Sequence, residues 1–331
     1  GLSRGEATAW VSVGGAVKGT VSKILSTAAA CVLLVGCEAP LVLDAVKAQA
    51  SKPTQRSDLL QAVASNSQVL VAVGNRGVVL TSADTGQSWE RRVLDGLPFL
   101  MDIDVCPDGR LAALAASQQV WIADKDGGDW QPMPLDTYET PQALTCDSQG
   151  RLWVVGSFST IWRSDDMGAT WSETSLDEDL HFTTVQFVDE QLAYLTGEFG
   201  TVTRSTDGGE SWEMLAPIEG EFYPQDAYFQ DADTGWVVGL TGTVLHTKDG
   251  GETWVTEATG TEAPFYGIDR RGDAMYLVGG FGTVLRRATE GAWEPVDHGQ
   301  PIRFYLRGLK LTKDGKLVAA GGAGALLVMN L

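Results

Sequence analysis

The stretch "SDDMGATW", Ser164–Trp171, is followed 41 residues later by "STDGGESW", Ser205–Trp212, and 42 residues beyond that by "TKDGGETW", Thr247–Trp254. An octapeptide that ends in tryptophan and returns at near-constant spacing signals a repeat architecture, which has to be settled before any other reading of the fold. Tryptophan closes the corresponding stretch at Trp89, Trp130, Trp171, Trp212, Trp254 and Trp293, with gaps of 41, 41, 41, 42 and 39 residues. Each copy is preceded by a hydrophobic strand, a small turn and a second strand. Examples are "LVAVGNRGVVLTS", "LAALAASQQVWIA", "LWVVGSFSTIWRS" and "AYLTGEFGTVTRS", and the chain holds seven such units in all.

Units of about forty residues, each with several short strands and tight turns, predict an all-β, seven-bladed β-propeller with four-stranded blades. In the fourth unit "FTTVQFV" reads as the inner strand a, "LAYLTGE" as b, "TVTRST" as c and "SWEMLA" as the outer strand d. The last unit runs out after three strands, "YLRGLKL", "KLVAAGG" and "ALLVMNL". An open ring would leave an exposed strand edge. The apolar segment "PLVLDAVKA", Pro40–Ala48, is therefore expected to supply the missing strand and close the ring from the N-terminal side.

The octapeptide resembles the Asp-box, S-x-D-x-G-x-[TS]-W, the bacterial neuraminidase repeat, which sits on the turn between strands c and d. Its hydroxyl and carboxylate can bond nearby backbone N–H groups, and its glycine tolerates positive φ. The expected box residues are Asp84 with Trp89, Asp166 with Trp171, Asp207 with Trp212, and Asp249 with Trp254. Lys125 replaces the acid in the box ending at Trp130, and the one ending at Trp293 is shortened. These residues are read as a folding staple, with a carbohydrate or calcium site as the functional alternative. "DKDGGD" and "DADTG" lack the full spacing and distal glutamate of a calcium loop.

Forty-three acidic against 24 basic residues give a net charge of −19, which argues against nucleic acid as the main partner. Ahead of the repeats, "VKGTVSKILSTAAACVLLVGCEAP" reads as a targeting signal: Lys18 and Lys23, then an apolar run from Ile24 to Val35 too short to span a bilayer comfortably. Leu34-Val35-Gly36-Cys37 resembles the lipobox of bacterial lipoproteins, which makes Cys37 the lipidation site and Glu38 a pointer to the outer membrane. An ordinary secretory signal or an uncleaved anchor is the alternative. The expected organisation is a leader over 1–36, a lipid-anchored N-terminus with the closing strand over 37–54, and the propeller over 55–331, in the bacterial envelope and facing the periplasm. Cys106 and Cys146 stand in matching contexts one repeat apart. They form a disulfide if adjacent blades bring them close enough, and otherwise are two small buried side chains.

No cofactor or metal is expected, because His181, His246 and His298 share no ligand spacing. Asp102, Asp104, Glu198 and Asp226 are carboxylates of the kind glycoside hydrolysis uses, which keeps a glycan-active or glycan-binding propeller as the alternative function. The arginine-isoleucine-proline motif of sialidases is absent, since "PIRFY" at 301–305 is no match. A stronger pattern is aromatic. Phe99, Phe182, Phe222, Tyr223, Phe265, Tyr266, Phe304 and Tyr305 lead into strands a, with Arg303 beside the last pair. Phe158, Phe199, Phe281 and Arg76 stand in b–c turns. In a propeller these segments share the face opposite the Asp-boxes, so together they are expected to form a partner-binding face, non-catalytic in character.

The seven-unit register, the "GxxGTVxRSxDGGxxW" consensus and the lipobox together resemble the photosystem II stability/assembly-factor-like group of Asp-box propellers over about residues 40–331. The resemblance implies an assembly or accessory factor that docks a membrane protein complex or transporter. The group tends to place arginine just before the box, as at Arg163 and Arg204 and near Arg286 and Arg287, whereas Thr81, Ile122 and His246 depart from it.

Overall fold

The computed structural model describes residues 43–288 and 291–331. The chain divides into two compact units, Gly1–Ser51 and Lys52–Leu331. Within the first, the described element is an α-helix, Asp44–Ala50. The leader, Cys37 and positions 40–42 lie outside the described residues. Among those that are described, no helix is long and apolar enough to cross a membrane.

The second unit is a seven-bladed propeller of antiparallel sheets, each strand pairing with the next in the chain. The blades run Leu60–Val93, Leu100–Pro134, Pro141–Ser175, Phe182–Met214, Asp226–Glu257, Phe265–Pro295 and Leu306–Asn330, and are numbered here 1 to 7. Strand b is buried at every residue in blades 1 to 5, for example Leu152–Gly156 and Ala193–Gly197. That follows from its place inside a blade that has further blades packed on both faces, the same condition that makes buried strands read as unbroken apolar runs. The core is a series of inter-blade clusters. Trp153, Ile161, Phe182 and Leu195 fill the one between blades 3 and 4, and Trp236, Phe265, Leu277 and Trp293 the one between blades 5 and 6.

Ring closure differs from the expectation. Asp44–Ala48 is helical rather than a strand, and blade 7 has three strands among the described residues. Alanines at positions 45, 48 and 50, with Lys47 and Gln49, are strong helix formers, and local propensity outweighs the apolar content that suggested a strand. The ring closes on a contact that also joins four of the other blade pairs. In blades 1, 3, 4 and 6 a b–c turn N–H bonds the loop that leads into the next blade: Gly77 to Pro98 O, Ser159 to Leu180 O, Gly200 to Phe222 O and Gly282 to Phe304 O. Gly324 N donates to Asp58 O at 2.9 Å in the same way, carrying blade 7 onto blade 1. Leu60, Leu80, Val318 and Ala320 pack between the two blades, and Lys316 Nζ donates to Thr85 O at 2.6 Å.

Cys106 and Cys146 form a disulfide, with their Cα atoms 5.1 Å apart. They lie at the ends of the innermost strands of blades 2 and 3, where blades converge on the channel, so the separation that would have kept them apart does not arise. Replacing Cys106 with serine is expected to lower stability by about 2–4 kcal/mol, measured by denaturant unfolding against the oxidised wild type. Reduction of the wild type should produce the same loss.

Candidate docking face and channel

The loop from each strand d to the next strand a and the b–c turns share one face, as their hydrogen bonds to one another require. At the tip of every b–c turn stands a residue other than glycine in the left-handed region: Arg76, Gln118, Phe158, Phe199, Thr241, Phe281 and Ala323, with φ between 51° and 58°. Side chains adopt that conformation at a cost of about 1–2 kcal/mol, so bulky residues there are uncommon. Here the conformation lifts the side chain off the blade. Phe281 is 77% exposed, Phe199 59% and Phe158 53%, and Arg76 is exposed beside them. Phe304 at 57%, with Tyr138, Tyr223, Phe99 and Arg303, continues the exposed aromatic surface on the neighbouring loops. Tyr138, three residues before the strand Pro141–Cys146, was not among the sequence candidates.

Two of the expected face residues do not belong to it. Phe182 and Phe265 are fully buried in inter-blade clusters. Each opens a strand a opposite a glycine, Gly197 and Gly279, and turns into the core. Phe222 is half-buried against Gly239. Tyr266 belongs to the channel wall: it meets Tyr305 edge-on at 6.0 Å, and the Arg307 guanidinium lies 6.0 Å over its ring.

The opposite face carries the boxes. In each good copy one hydroxyl and one carboxylate knit the turn together. Ser205 Oγ donates to Asp207 Oδ1 at 2.9 Å and accepts from Gly209 N at 2.8 Å, while Ser211 donates from its N to Oδ1 and from its Oγ to Oδ2. The same four bonds recur around Asp84, Asp166 and Asp249. Every carboxylate oxygen is therefore occupied within its own turn, which is what a staple requires. The preceding arginines are equally committed: Arg163 pairs with Asp165 and Glu210, and Arg204 with Glu213 and Glu252.

The channel holds a cavity of about 1050 Å³ whose wall includes Asp102, Asp104, Asp226 and Asp269. These acids join blades. Asp102 accepts Ile103 N and, across the blade boundary, Leu144 N; Asp104 accepts Val105 N and then Cys146 N. Asp226 accepts Ala227 N and Ile268 N, and Asp269 accepts Arg270 N and Leu311 N. Gln186 spans blades 4 and 5 through both Phe229 N and Phe229 O. So the channel carboxylates singled out for hydrolytic chemistry spend both oxygens on backbone donors of adjacent inner strands. Glu198 lies apart on a b–c turn and accepts His181 N. Among the described residues no group of three or more His, Cys, Asp or Glu side chains could hold a metal ion.

Desolvation deep in the ring pushes the Asp102 and Asp226 carboxyls up to about 7, against their hydrogen bonds, and pushes Asp269 upward as well. Each keeps part of its surface on the channel, so water there moderates the push. Hydrogen bonds from Ser88 and from Ser211 hold Asp84 and Asp207 down at about 2. The signs oppose one another. A carboxyl raised in the folded state contributes stability that is complete below pH of about 4 and is lost as pH climbs through about 7. The lowered box acids contribute stability present above pH of about 4 and lost as it falls toward 2. Stability is expected to peak on the acidic side of neutrality. Asp226→Asn should flatten the decline between about pH 4 and 7 in melting scans, whatever its absolute stability.

One polar cluster had no counterpart in the sequence reading. Arg287, at the position where good boxes place Ser or Thr, turns inward and donates to Glu257 Oε1 at 2.5 Å. His246 Nδ1 lies 3.1 Å from the same oxygen, Trp236 Nε1 donates to it at 3.2 Å, and Trp293 Nε1 donates to Oε2 at 2.8 Å. The guanidinium also lies 5.5 Å over the Trp236 ring and 5.3 Å over that of Trp293. Where the sixth box lost its acid, Glu257 of the neighbouring blade holds the tryptophan in its place.

Residues 122–219 and 216–301 match the family described as Photosynthesis system II assembly factor YCF48. The chain belongs to the YCF48 family. Solved structures share its fold at low identity. A YCF48 bound to a D1 peptide is 16% identical with a TM-score of 0.71, covering 85% of this chain and 93% of that one. YCF48 from Cyanidioschyzon merolae is 15% identical with a TM-score of 0.69, over 84% and 97% of the two chains. A streptogramin B lyase superposes as well, at 14% identity and a TM-score of 0.73, over 85% and 95%. No curated protein matches in sequence. The YCF48 family and a lyase thus share one propeller, and fold alone does not choose between docking and catalysis.

Proposed function

We propose that the chain is a non-catalytic envelope lipoprotein of the YCF48 family that docks a membrane protein complex or transporter through the aromatic face and assists its assembly or activity. The observation that carries this reading is the placement of Phe158, Phe199 and Phe281 at strained, outward-pointing turn positions on the face opposite the boxes. The turn imposes that conformation in every blade, and these three positions differ from the rest in carrying a large apolar ring that stands in solvent. Large exposed aromatics gathered on one face are the usual anchors of protein interfaces. A YCF48 structure with a D1 peptide bound supports the same use of the fold in a relative. Lipidation at Cys37 would hold the propeller beside its partner at the outer membrane.

In the full-length chain, Phe199→Ser with Phe281→Ser is expected to cut recovery of the cross-linked membrane partner about tenfold or more, since hot-spot aromatics contribute about 2 kcal/mol each. Its melting temperature should stay near that of the wild type, because both rings stand in solvent. Wild-type recovery by the folded double variant would overturn the docking reading. Cys37→Ala should move the chain from membrane to soluble fractions.

A further inference from the structure

The aromatic face is electrically lopsided. Over blades 3 to 5 it forms one hydrogen-bonded ridge. The Phe158 turn bonds the loop after blade 3 through Ser159 N to Leu180 O and Glu178 N to Ser159 Oγ. That loop bonds the next turn through Glu198 N to His181 O, and the Phe199 turn continues to the following loop through Gly200 N to Phe222 O. The first loop of the ridge carries Asp177, Glu178 and Asp179, all exposed, and the second carries Glu219 and Glu221, exposed as well. No ion pair to any of these five acids is found among the described residues, whereas the acids beside the boxes pair with Arg163 and Arg204. The exposed arginines of the aromatic face, Arg56, Arg76 and Arg303, lie across the ring at blades 7 and 1.

Building on the docking function proposed above, we infer that the ridge over blades 3 to 5 receives a lysine- and arginine-rich extended segment of the partner, whose apolar side chains alternate with its basic ones. Phe158, Phe199 and Tyr223 supply the apolar contacts between rows of carboxylates that lack cationic partners of their own. A basic segment supplies those partners, and complementary charge speeds encounter and rejects acidic competitors. A lipid surface is the wrong occupant: an anionic leaflet attracts basic segments and would repel this ridge.

The test uses the full chain in detergent and three synthetic peptides of equal length, one alternating lysine with leucine, one glutamate with leucine, and one lysine with serine. The lysine–leucine peptide is expected to bind most tightly, with affinity falling as ionic strength rises past about 0.15 M, where the Debye length shrinks to about 8 Å. The triple variant Asp177→Asn, Glu178→Gln, Asp179→Asn should weaken it about tenfold at low salt. Neutralising three acids of the box face, Glu190→Gln, Glu210→Gln and Glu252→Gln, should leave it within about twofold, which separates this ridge from the general acidity of the chain. Equal binding of the glutamate–leucine peptide, or equal loss from the two triple variants, would overturn the inference. If Phe199→Ser abolishes binding while the ridge triple variant binds normally, docking through the face stands and its basic occupant falls. Anionic vesicles that bind the chain through this ridge, losing affinity with the ridge variant, would also overturn it.

Discussion

Trp153→Ala is expected to destabilise the propeller by about 3–5 kcal/mol, the range for truncating a large buried aromatic. Trp153 is 2% exposed at the centre of the cluster between blades 3 and 4. Phe187 lies 4.9 Å from its ring and Trp212 meets it edge-on at 6.2 Å. Gly209 of the neighbouring box presses so closely on this ring that a Cβ there would sit 2.3 Å from it. The indole also donates to Asp147 Oδ2 at 2.8 Å, a carboxylate that gathers Gln149 N, Arg151 N and Arg151 Nε as well. Removing the ring empties a cavity between two blades and loosens the turn that rests on it. Trp153→Phe should fall between the wild type and Trp153→Ala, keeping much of the packing but losing the bond to Asp147. Equilibrium unfolding in denaturant measures both, and a loss under about 1 kcal/mol for Trp153→Ala would contradict this account of the inter-blade core.

Glu257→Ala should cost a comparable 3–5 kcal/mol, roughly the penalty for leaving one partner of a buried pair uncompensated. The Arg287 side chain is 9% exposed and that of Glu257 15%, so the stranded guanidinium would have little water to turn to. Trp236 Nε1 and Trp293 Nε1 would lose their acceptor at the same time. Glu257→Leu combined with Arg287→Met should recover a large part of the loss, because an apolar pair of similar volume carries no desolvation cost. A double-mutant cycle reads the coupling directly. Additive effects of the two single substitutions would show that the pair does not act as a unit.

These two sites mark how far the sequence could be read. The ring, the blade boundaries and the box staples were legible because each unit repeats the same burial pattern at nearly constant spacing, and burial demands an apolar residue at Val154, Leu195 and Leu277 alike. The aromatic face was legible only in part. Phe182 and Phe265 hold the first position of strand a, the register of the buried Leu100 and Leu306, whereas Phe304 stands two residues earlier on the loop and points outward; a shift of two residues separates core from face. In the b–c turns the positions are equivalent and the left-handed conformation fixes the direction, so those candidates stayed on the surface. The closing segment misled because an apolar, alanine-rich stretch has no clear period of either kind. The channel acids gave no hint of their bonds to the next blade, which are long-range contacts between residues about 42 apart. One signal for the Glu257 brace was present in the alignment of units: Arg287 occupies the register of Ser164, Ser205 and Thr247, where a small hydroxyl belongs.

The proposed docking requires a membrane partner to occupy the face opposite the boxes. Placing a photo-cross-linking amino acid at Phe281, at Phe199 and, on the box face, at Glu210 in the full-length chain tests it in native membranes. Positions 281 and 199 should each give a discrete adduct with a membrane protein, and position 210 none. An adduct from position 210 alone, or equal yields from all three, would contradict it.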